Sequence, residues 1–273
     1  MTRPGLPKLI ATDLDGTLVR SDDTVSDYTH EVLARVRAAG IRLVGATGRG
    51  PRLIQLTRRD IPSAGHLVMA GGGQIVDVTD PDFPLVLRDE RLDGSVLAEI
   101  FAIIEAEIGA VSILVEAGDG HNAPLLGDPD PTWRYPDLVE AMARIEALAG
   151  PVIKGFARHQ RYDADALLAV AHRVVPPELA SITQAGLGYI EICPPHVDKA
   201  TGLSVVATTL GVDPNDVLAF GDMPNDISML CWAGFGRVAV ANAHPAVKTM
   251  ADEVTASNDE DGVARYLDRM LRS

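Results

Sequence analysis

Lys8-Leu-Ile-Ala-Thr12 is a short apolar run that stops at Asp13-Leu-Asp-Gly-Thr17. An apolar run ending at an acidic, glycine-containing stretch reads as a buried strand entering a loop. Beyond Ser26, which is placed to cap a helix, Val32, Leu33 and Val36 recur at helical spacing, and Gly40 lies just past the end. Ile41-Arg-Leu-Val44 is then a second strand, Gly45-Ala-Thr-Gly-Arg49 a loop, residues 52–60 a second helix, and His66-Leu-Val-Met69 a third strand ending in Gly71-Gly-Gly73. The alternation returns later, with a helix at 201–210 closed by Gly211, a strand at 217–220, a helix at 226–233, a strand at 238–240, and Pro245 in a last first turn. Strands and helices at this spacing pair in parallel through right-handed crossovers, so the predicted fold class is α/β with a doubly wound, mostly parallel sheet.

The middle of the chain reads differently. Long helical patterns at 95–108 and 136–148 stand between short strand-like runs, which predicts an inserted α+β domain at 84–185 within a core made of 1–83 and 186–273. The stretch 79–84 reads as a linker and 127–131 as a surface loop. At 273 residues, two domains can each bury a core.

With 24 Lys+Arg against 38 Asp+Glu, the net charge of −14 cannot supply the basic field that attracts a phosphate backbone, so nucleic acid is not an expected partner. The two cysteines, Cys193 and Cys231, form neither a disulfide framework nor a zinc motif, and a reducing cytoplasm is the expected location. No apolar window approaches the roughly 20 residues that span a bilayer, so no membrane association is expected.

In an open parallel sheet, ligands bind outside the carboxyl ends of the strands. Three polar loops fall there: Asp13-Leu-Asp-Gly-Thr17, Ala46-Thr-Gly-Arg49 and Gly221-Asp-Met-Pro-Asn-Asp226, with Asp198-Lys199 before the helix at 201–210. An isolated Asp-x-Asp is commonly a turn. Two acidic pairs brought to one rim from opposite ends of the chain would instead repel unless a cation sat between them, and a hard, oxygen-liking ion such as Mg²⁺ answers that need. Taken singly, Thr47 reads as a turn hydroxyl, Arg49 as a surface charge and Lys199 as a solvated helix-start lysine; at a strand end facing a metal, the Thr47 hydroxyl and nearby N–H groups, at Gly48 and Arg49, could instead cradle a phosphate, and Lys199 could neutralise substrate oxygens. Residues 45–50 follow GxxGxG order, not GxGxxG, which argues against a dinucleotide site.

In this order the motifs resemble the haloacid dehalogenase superfamily of phosphohydrolases, in its Cof-type branch with a large inserted (class IIB) cap. The matching segments are Asp13-Leu-Asp-Gly-Thr-Leu18, Ala46-Thr-Gly-Arg49, Lys199, Gly221-Asp-Met-Pro-Asn-Asp-Ile-Ser-Met-Leu230, and two C-terminal stretches, 241–248 and 257–263. The resemblance implies a Mg²⁺-dependent phosphatase acting on a small phosphorylated metabolite such as a sugar phosphate. Asp13 would attack phosphorus and become an aspartyl-phosphate. Asp15 would serve as acid and then base, with its carboxyl held above the usual range. Thr47 and Lys199 would hold the phosphoryl oxygens, and Asn225 would position Lys199 or a phosphate oxygen. The metal would take the Asp13 carboxylate, the Asp15 carbonyl and Asp222, with Asp226 close by or acting through water.

The chain departs from the branch in having Ala70-Gly-Gly-Gly73 where Ser-Asn-Gly-Ala is frequent, which removes an Asn side chain facing the substrate, and in having Ala200 after Lys199. Specificity is expected in the cap, closing on hinges near 83 and 186, with His121, Asn122, Arg158, His159 and Arg161 as candidates. Trp133 and Trp232 are expected to pack. A phosphomutase or phosphoryl transferase, and a sensor that binds without turnover, are alternatives on the same fold; the oligomeric state, monomer or homodimer, is open.

Overall fold

The computed structural model describes residues 5–118, 120–186 and 188–272. The chain begins with β1 (Leu9–Thr12), α1 (Asp27–Ala38), β2 (Arg42–Ala46), α2 (Ile54–Asp60), β3 (His66–Met69), β4 (Gln74–Asp77) and β5 (Leu85–Asp89). It continues through α3 (Gly94–Ile108), β6 (Ser112–Glu116), β7 (Leu125–Gly127), β8 (Val139–Ala141), α4 (Arg144–Ala147), β9 (Lys154–Arg158), α5 (Ala164–Val174), β10 (Ser181–Gly186) and β11 (Tyr189–Cys193). It closes with α6 (Lys199–Leu210), β12 (Val217–Gly221), α7 (Ile227–Trp232), β13 (Gly236–Ala239), α8 (Pro245–Met250), β14 (Glu253–Val254) and α9 (Gly262–Arg272).

These strands form two sheets. The first has the order β14-β13-β12-β1-β2-β3-β4-β5. It is parallel from β14 to β3, and β4 and β5 return antiparallel. β1 lies between β12 and β2, and Leu9, Ile10 and Ala11 are wholly buried because helices cover both faces of the sheet. Each such Leu or Ile side chain taken out of water contributes about 1.5–3 kcal/mol. α1 starts where Ser26 accepts the Thr29 N–H, and it buries Val32, Leu33 and Val36, the stripe read from the sequence. Because β1, β2 and β12 run in register, their carboxyl ends stand side by side, and Asp13, Thr47 and Asp222 follow them directly.

The second sheet has the order β10-β11-β9-β6-β7-β8. One face packs Ile113, Val115, Ile190 and Ile192 against Leu97, Ile100, Phe101 and Ile104 of α3 and Leu167 and Val170 of α5. Since strand side chains alternate, the opposite face carries Leu114 and Glu116, Lys154 and Phe156, and Tyr189 and Glu191. That face is turned toward the rim of the first sheet, where Lys154 Nζ donates to the Gly48 carbonyl.

Three expectations are corrected here. The stretch 79–84 is the turn between β4 and β5, not a linker. β5 belongs to the first sheet and β11 to the second, so divisions at 83/84 and 185/186 would part strands from their sheets; the chain leaves the first sheet after β5 and the second after β11. The pattern at 136–148 is not one helix. Pro136 opens a 3-10 turn, Val139 pairs in parallel with Leu125, and only α4 is helical, so sheet pairing overrides the apolar spacing. Among the described residues no helix is long and apolar enough to cross a membrane.

Candidate active site

The core side of the site is built from the ends of β1, β2 and β12 and the start of α6. Asp13 continues β1, its N–H donating to the Phe220 carbonyl at 3.0 Å, and its side chain is buried. In the loop after it, Gly16 has φ +88°, and a Cβ there would lie 2.6 Å from Asp222 Oδ2. Glycine is therefore needed both for the turn and for the approach of Asp222. Thr17 donates its hydroxyl to Asp222 Oδ1 at 2.6 Å. Asp226 Oδ2 accepts the Asp222 and Met223 N–H groups at 2.9 and 3.0 Å, fixing the turn that carries both carboxylates. Lys199 is the first residue of α6, whose capping box pairs Asp198 with Thr201. Its ammonium donates to Asp13 Oδ1 and Asp226 Oδ1, each at 2.5 Å. Thr47 is fully buried beyond β2, and its hydroxyl accepts the Arg49 N–H at 3.0 Å.

Asp13, Asp222 and Asp226 each offer a carboxylate oxygen within 4.8 Å of the others. Burial raises Asp13 to about 6 against the pull of Lys199, with Asp226 and Asp15 adding to the rise. Burial, and the charges of Asp13 and Asp226, raise Asp222 to about 9. Three buried carboxylates with one ammonium among them are an electrostatic debt that a hard divalent cation offsets, so the donor set fits Mg²⁺. Within that set Asp226 already commits one oxygen to Lys199 and the other to two backbone N–H groups. Asp13 and Asp222 each keep an oxygen outside the hydrogen bonds given above.

The Asp15 carboxylate stands apart from this cluster. Arg49 forks onto it through Nε at 2.8 Å and Nη2 at 2.6 Å, and Arg134 reaches it at 2.7 Å. Burial would push Asp15 up, but the hydrogen bonds and charge of Arg49, joined by Arg134, outweigh it and hold the carboxyl below its usual value. The expectation of a raised Asp15 is thus corrected. Arg49 differs from its expected role as well. Its remaining Nη1 donates to the buried Asp60 at 2.7 Å, so the guanidinium is committed to two carboxylates and positions Asp15. Of the two roles expected of Asn225, the positioning of Lys199 is corrected, because Lys199 meets Asp13 and Asp226; Asn225 lines the cavity described next, with its Oδ1 buried without a hydrogen-bond partner.

Above these groups lies a cavity of about 300 Å³ lined from the core by Asp13, Asp15, Gly48, Arg49, Arg52 and Asn225 and from the second sheet and its loops by Glu116, Trp133, Arg134, Tyr135, Lys154, Phe156 and Glu191. Lys154, Glu116 and Glu191 are all buried, and Lys154 pairs with Glu191 as well as reaching Gly48. Burial raises the Glu116 carboxyl, with Lys154 and Arg52 opposing. Trp133 is half-buried and packs edge-on against Phe156 and Tyr189 at centroid distances of 5.0 and 5.1 Å. Trp232 packs on the first core as expected.

None of the five cap candidates lines this cavity. His121 and Asn122 border a separate surface groove beside Leu53, Arg158 and His159 border another beside Asp128, and Arg161 is exposed. The residues that do line it carried a readable signal in part. Tyr189-Ile-Glu-Ile-Cys193 places one charge inside an apolar strand, and a buried charge requires a partner. Gly71, where the side chain was expected to be missing, has φ +65°, and a Cβ there would sit 3.8 Å from both Cys193 Sγ and Glu191 Oε2. An asparagine would therefore point at the second sheet.

The model of the haloacid dehalogenase-like hydrolases matches residues 10–123 and 150–267. The chain is 29% identical over 287 residues to the 5-amino-6-(5-phospho-D-ribitylamino)uracil phosphatase YwtE of Bacillus subtilis, covering 97% of this chain and 98% of that protein. A haloacid dehalogenase-like hydrolase from Bacteroides thetaiotaomicron has a similar structure at TM-score 0.75 and 29% identity, covering 97% of this chain and 99% of that one. The subclass IIB sugar phosphatase BT4131 shares the fold at TM-score 0.78 and 21% identity, covering 96% and 98%. With its two-sheet α/β architecture and its ordered acidic loops, the chain belongs to the haloacid dehalogenase-like hydrolases and is a phosphatase of that family.

Proposed function

We propose that this chain hydrolyses small phosphate monoesters, of sugars or related metabolites, in a Mg²⁺-dependent reaction through an aspartyl-phosphate on Asp13. The observation that carries the reading is the buried Asp13, bonded to Lys199, lying beside Asp222 and lining the cavity between the two sheets. Asp13 and Asp222 would hold the metal, with the Asp15 carbonyl, and Asp226 would support it by fixing Lys199 and the turn at 222–223. When bound, Mg²⁺ supplies charge neutralisation between a carboxylate nucleophile and a phosphate dianion.

The residues divide the remaining work. Asp13 attacks phosphorus as the leaving oxygen departs. Lys199 and the Thr47 hydroxyl hold the non-bridging oxygens, with the Gly48 N–H beside them, while the Arg49 N–H orients the Thr47 hydroxyl by donating to it. Asp15, kept ionised by Arg49 and Arg134, is ready for the second half-reaction, in which it takes a proton from the water that opens the aspartyl-phosphate. Its part in the first half-reaction, giving a proton to the leaving oxygen, requires it to exchange arginine contacts for that proton.

YwtE and BT4131, named for a ribitylamino-uracil phosphate and for sugar phosphates, point to polyhydroxylated leaving groups. The test is phosphate release from a panel of sugar phosphates, ribityl-type phosphates, nucleotides and aryl phosphates, with Mg²⁺ and with chelator, using Asp13→Asn as the blank. Metal-dependent release absent from the blank is the expected result. A folded protein that releases phosphate equally in the presence of chelator would overturn the metal-dependent reading.

A further inference from the structure

Among the described residues, every charged side chain that lines the cavity over Asp13 has an opposite charge within 3.4 Å. The charges of its walls therefore answer one another, as Glu191 answers Lys154 and Asp15 answers Arg134. Apart from glycines and Asn225, what is left to meet a leaving group is Leu53, Met223, Trp133, Tyr135 and Phe156. Aromatic side chains make up only 4% of the chain, yet three of them stand in this one wall.

Trp133 and Tyr135 belong to the loop between β7 and β8, and both keep part of their surface accessible, whereas Phe156 is buried. Trp133 is held by edge-on packing on Phe156 at 5.0 Å and on Tyr189 at 5.1 Å, and by its backbone N–H, which donates to the Asp130 carbonyl at 3.1 Å. Its place is thus set by the cap itself. Tyr135 and Leu53 also border the surface groove beside His121, so Tyr135 stands where the cavity adjoins the outside.

A planar ring gives such side chains a broad apolar contact with few torsions to freeze, and aromatic pairs gain beyond the area they bury. We propose that Trp133 and Tyr135 form a stacking platform, and that the esters this chain prefers carry a planar aromatic or heteroaromatic ring on the leaving group. The inference rests on the phosphatase reading above and narrows its substrate class from small phosphate monoesters in general to ring-bearing ones. The phosphoryl group goes to Asp13, and the ring lies against Trp133 and Tyr135.

The experiment compares kcat/KM for benzyl phosphate and cyclohexylmethyl phosphate, alkyl esters of matched size that differ in the planarity of the ring. It uses the full chain with Mg²⁺ and the variants Trp133→Leu, Tyr135→Leu and Tyr135→Phe, with thermal melts of each protein. The inference predicts that the unaltered protein favours the benzyl ester about 3- to 10-fold. Either leucine variant should bring that ratio toward one, mainly through a higher KM for the benzyl ester, while Tyr135→Phe, which keeps the ring, keeps the ratio. A ratio near one in the unaltered protein would overturn the inference. So would equal losses on the two esters in the leucine variants, which would leave the aromatic side chains with packing alone. Release from the sugar phosphates of the panel above without release from benzyl phosphate overturns the inference and spares the phosphatase reading, whereas a folded protein that releases phosphate from no ester overturns both. Should Trp133→Leu fail to fold, the two Tyr135 variants decide between these outcomes.

Discussion

The floor and the roof of the cavity are built on opposite principles. On the floor, supplied by the first sheet, each charged group is pinned: Asp226 by two N–H groups and Lys199, Asp222 by Thr17, Asp15 by Arg49, and Arg49 by Asp60. On the roof, supplied by the second sheet, Glu116 meets Arg52 and Lys154 only at 3.4 and 4.0 Å, and Trp133 Nε1 is buried with no hydrogen-bond partner. A floor whose geometry is over-determined suits a reaction that does not change from substrate to substrate. A roof with looser contacts suits a choice among leaving groups. The difference teaches where to look for chemistry and where for selectivity, since pre-organised charges and donors serve the step common to every substrate.

The hardest blow to the floor is Asp13→Asn. It is expected to lower phosphate release by at least about 10³-fold while leaving the circular dichroism spectrum unchanged, because the residue makes the reacting bond and its amide replacement keeps its shape. Next comes Lys199→Met. It removes the ammonium from between two buried carboxylates and is expected to lower unfolding stability in chelator by about 3–5 kcal/mol, read by denaturant titration, as well as turnover. A protein equally stable without Lys199 would break the claim that the floor is held by its charge pairing.

The roof answers more gently. Arg134→Ala removes the cap's contact with Asp15 but leaves the Arg49 fork, so kcat/KM is expected to fall about ten-fold, with a stability change below about 1 kcal/mol. The smallest effect concerns the anchor of the loop that carries Trp133 and Arg134. Burial would raise the Asp130 carboxyl, but hydrogen bonds from Thr132, Tyr189 and Arg158 outweigh it and hold it well below its usual 3.8. A carboxyl depressed in the folded state stabilises above its unfolded value and loses that contribution as pH falls through the folded one. Asp130→Asn should thus cost about 1 kcal/mol near neutral pH, and the gap in Tm to the unaltered protein should narrow as the pH is lowered below about 4. A gap independent of pH would remove Asp130 as the charged anchor.

The floor was legible in the sequence because its residues come directly after apolar strands, where one run such as Lys8-Leu-Ile-Ala-Thr12 declares both the strand and the place of Asp13. What those side chains do to each other was less legible. Asp15 was expected to be raised because carboxylates surround it, but Arg134 meets it from far along the chain and Arg49 forks onto it, and no local pattern announces either contact. The roof was read at the wrong residues for a related reason. His121, Asn122, Arg158, His159 and Arg161 were chosen for polarity, while Glu116, Lys154 and Glu191 sit in apolar strands whose alternation turns them inward. In this chain the charge buried in a strand was the informative one. Pattern also misled at 136–148, where a helical spacing of apolar residues met a strand already waiting to pair.

The central claim is that the floor carries a covalent step on Asp13 that is shared by every ester the roof admits. It is tested most directly by acid-quenching the Asp15→Asn protein during turnover of phenyl phosphate with Mg²⁺ and measuring its intact mass and peptide map. The account predicts a single phosphoryl increment that maps to Asp13, because phosphoryl transfer to Asp13 from a good leaving group proceeds while water attack lacks its base. Continued turnover with no increment on Asp13 would contradict it.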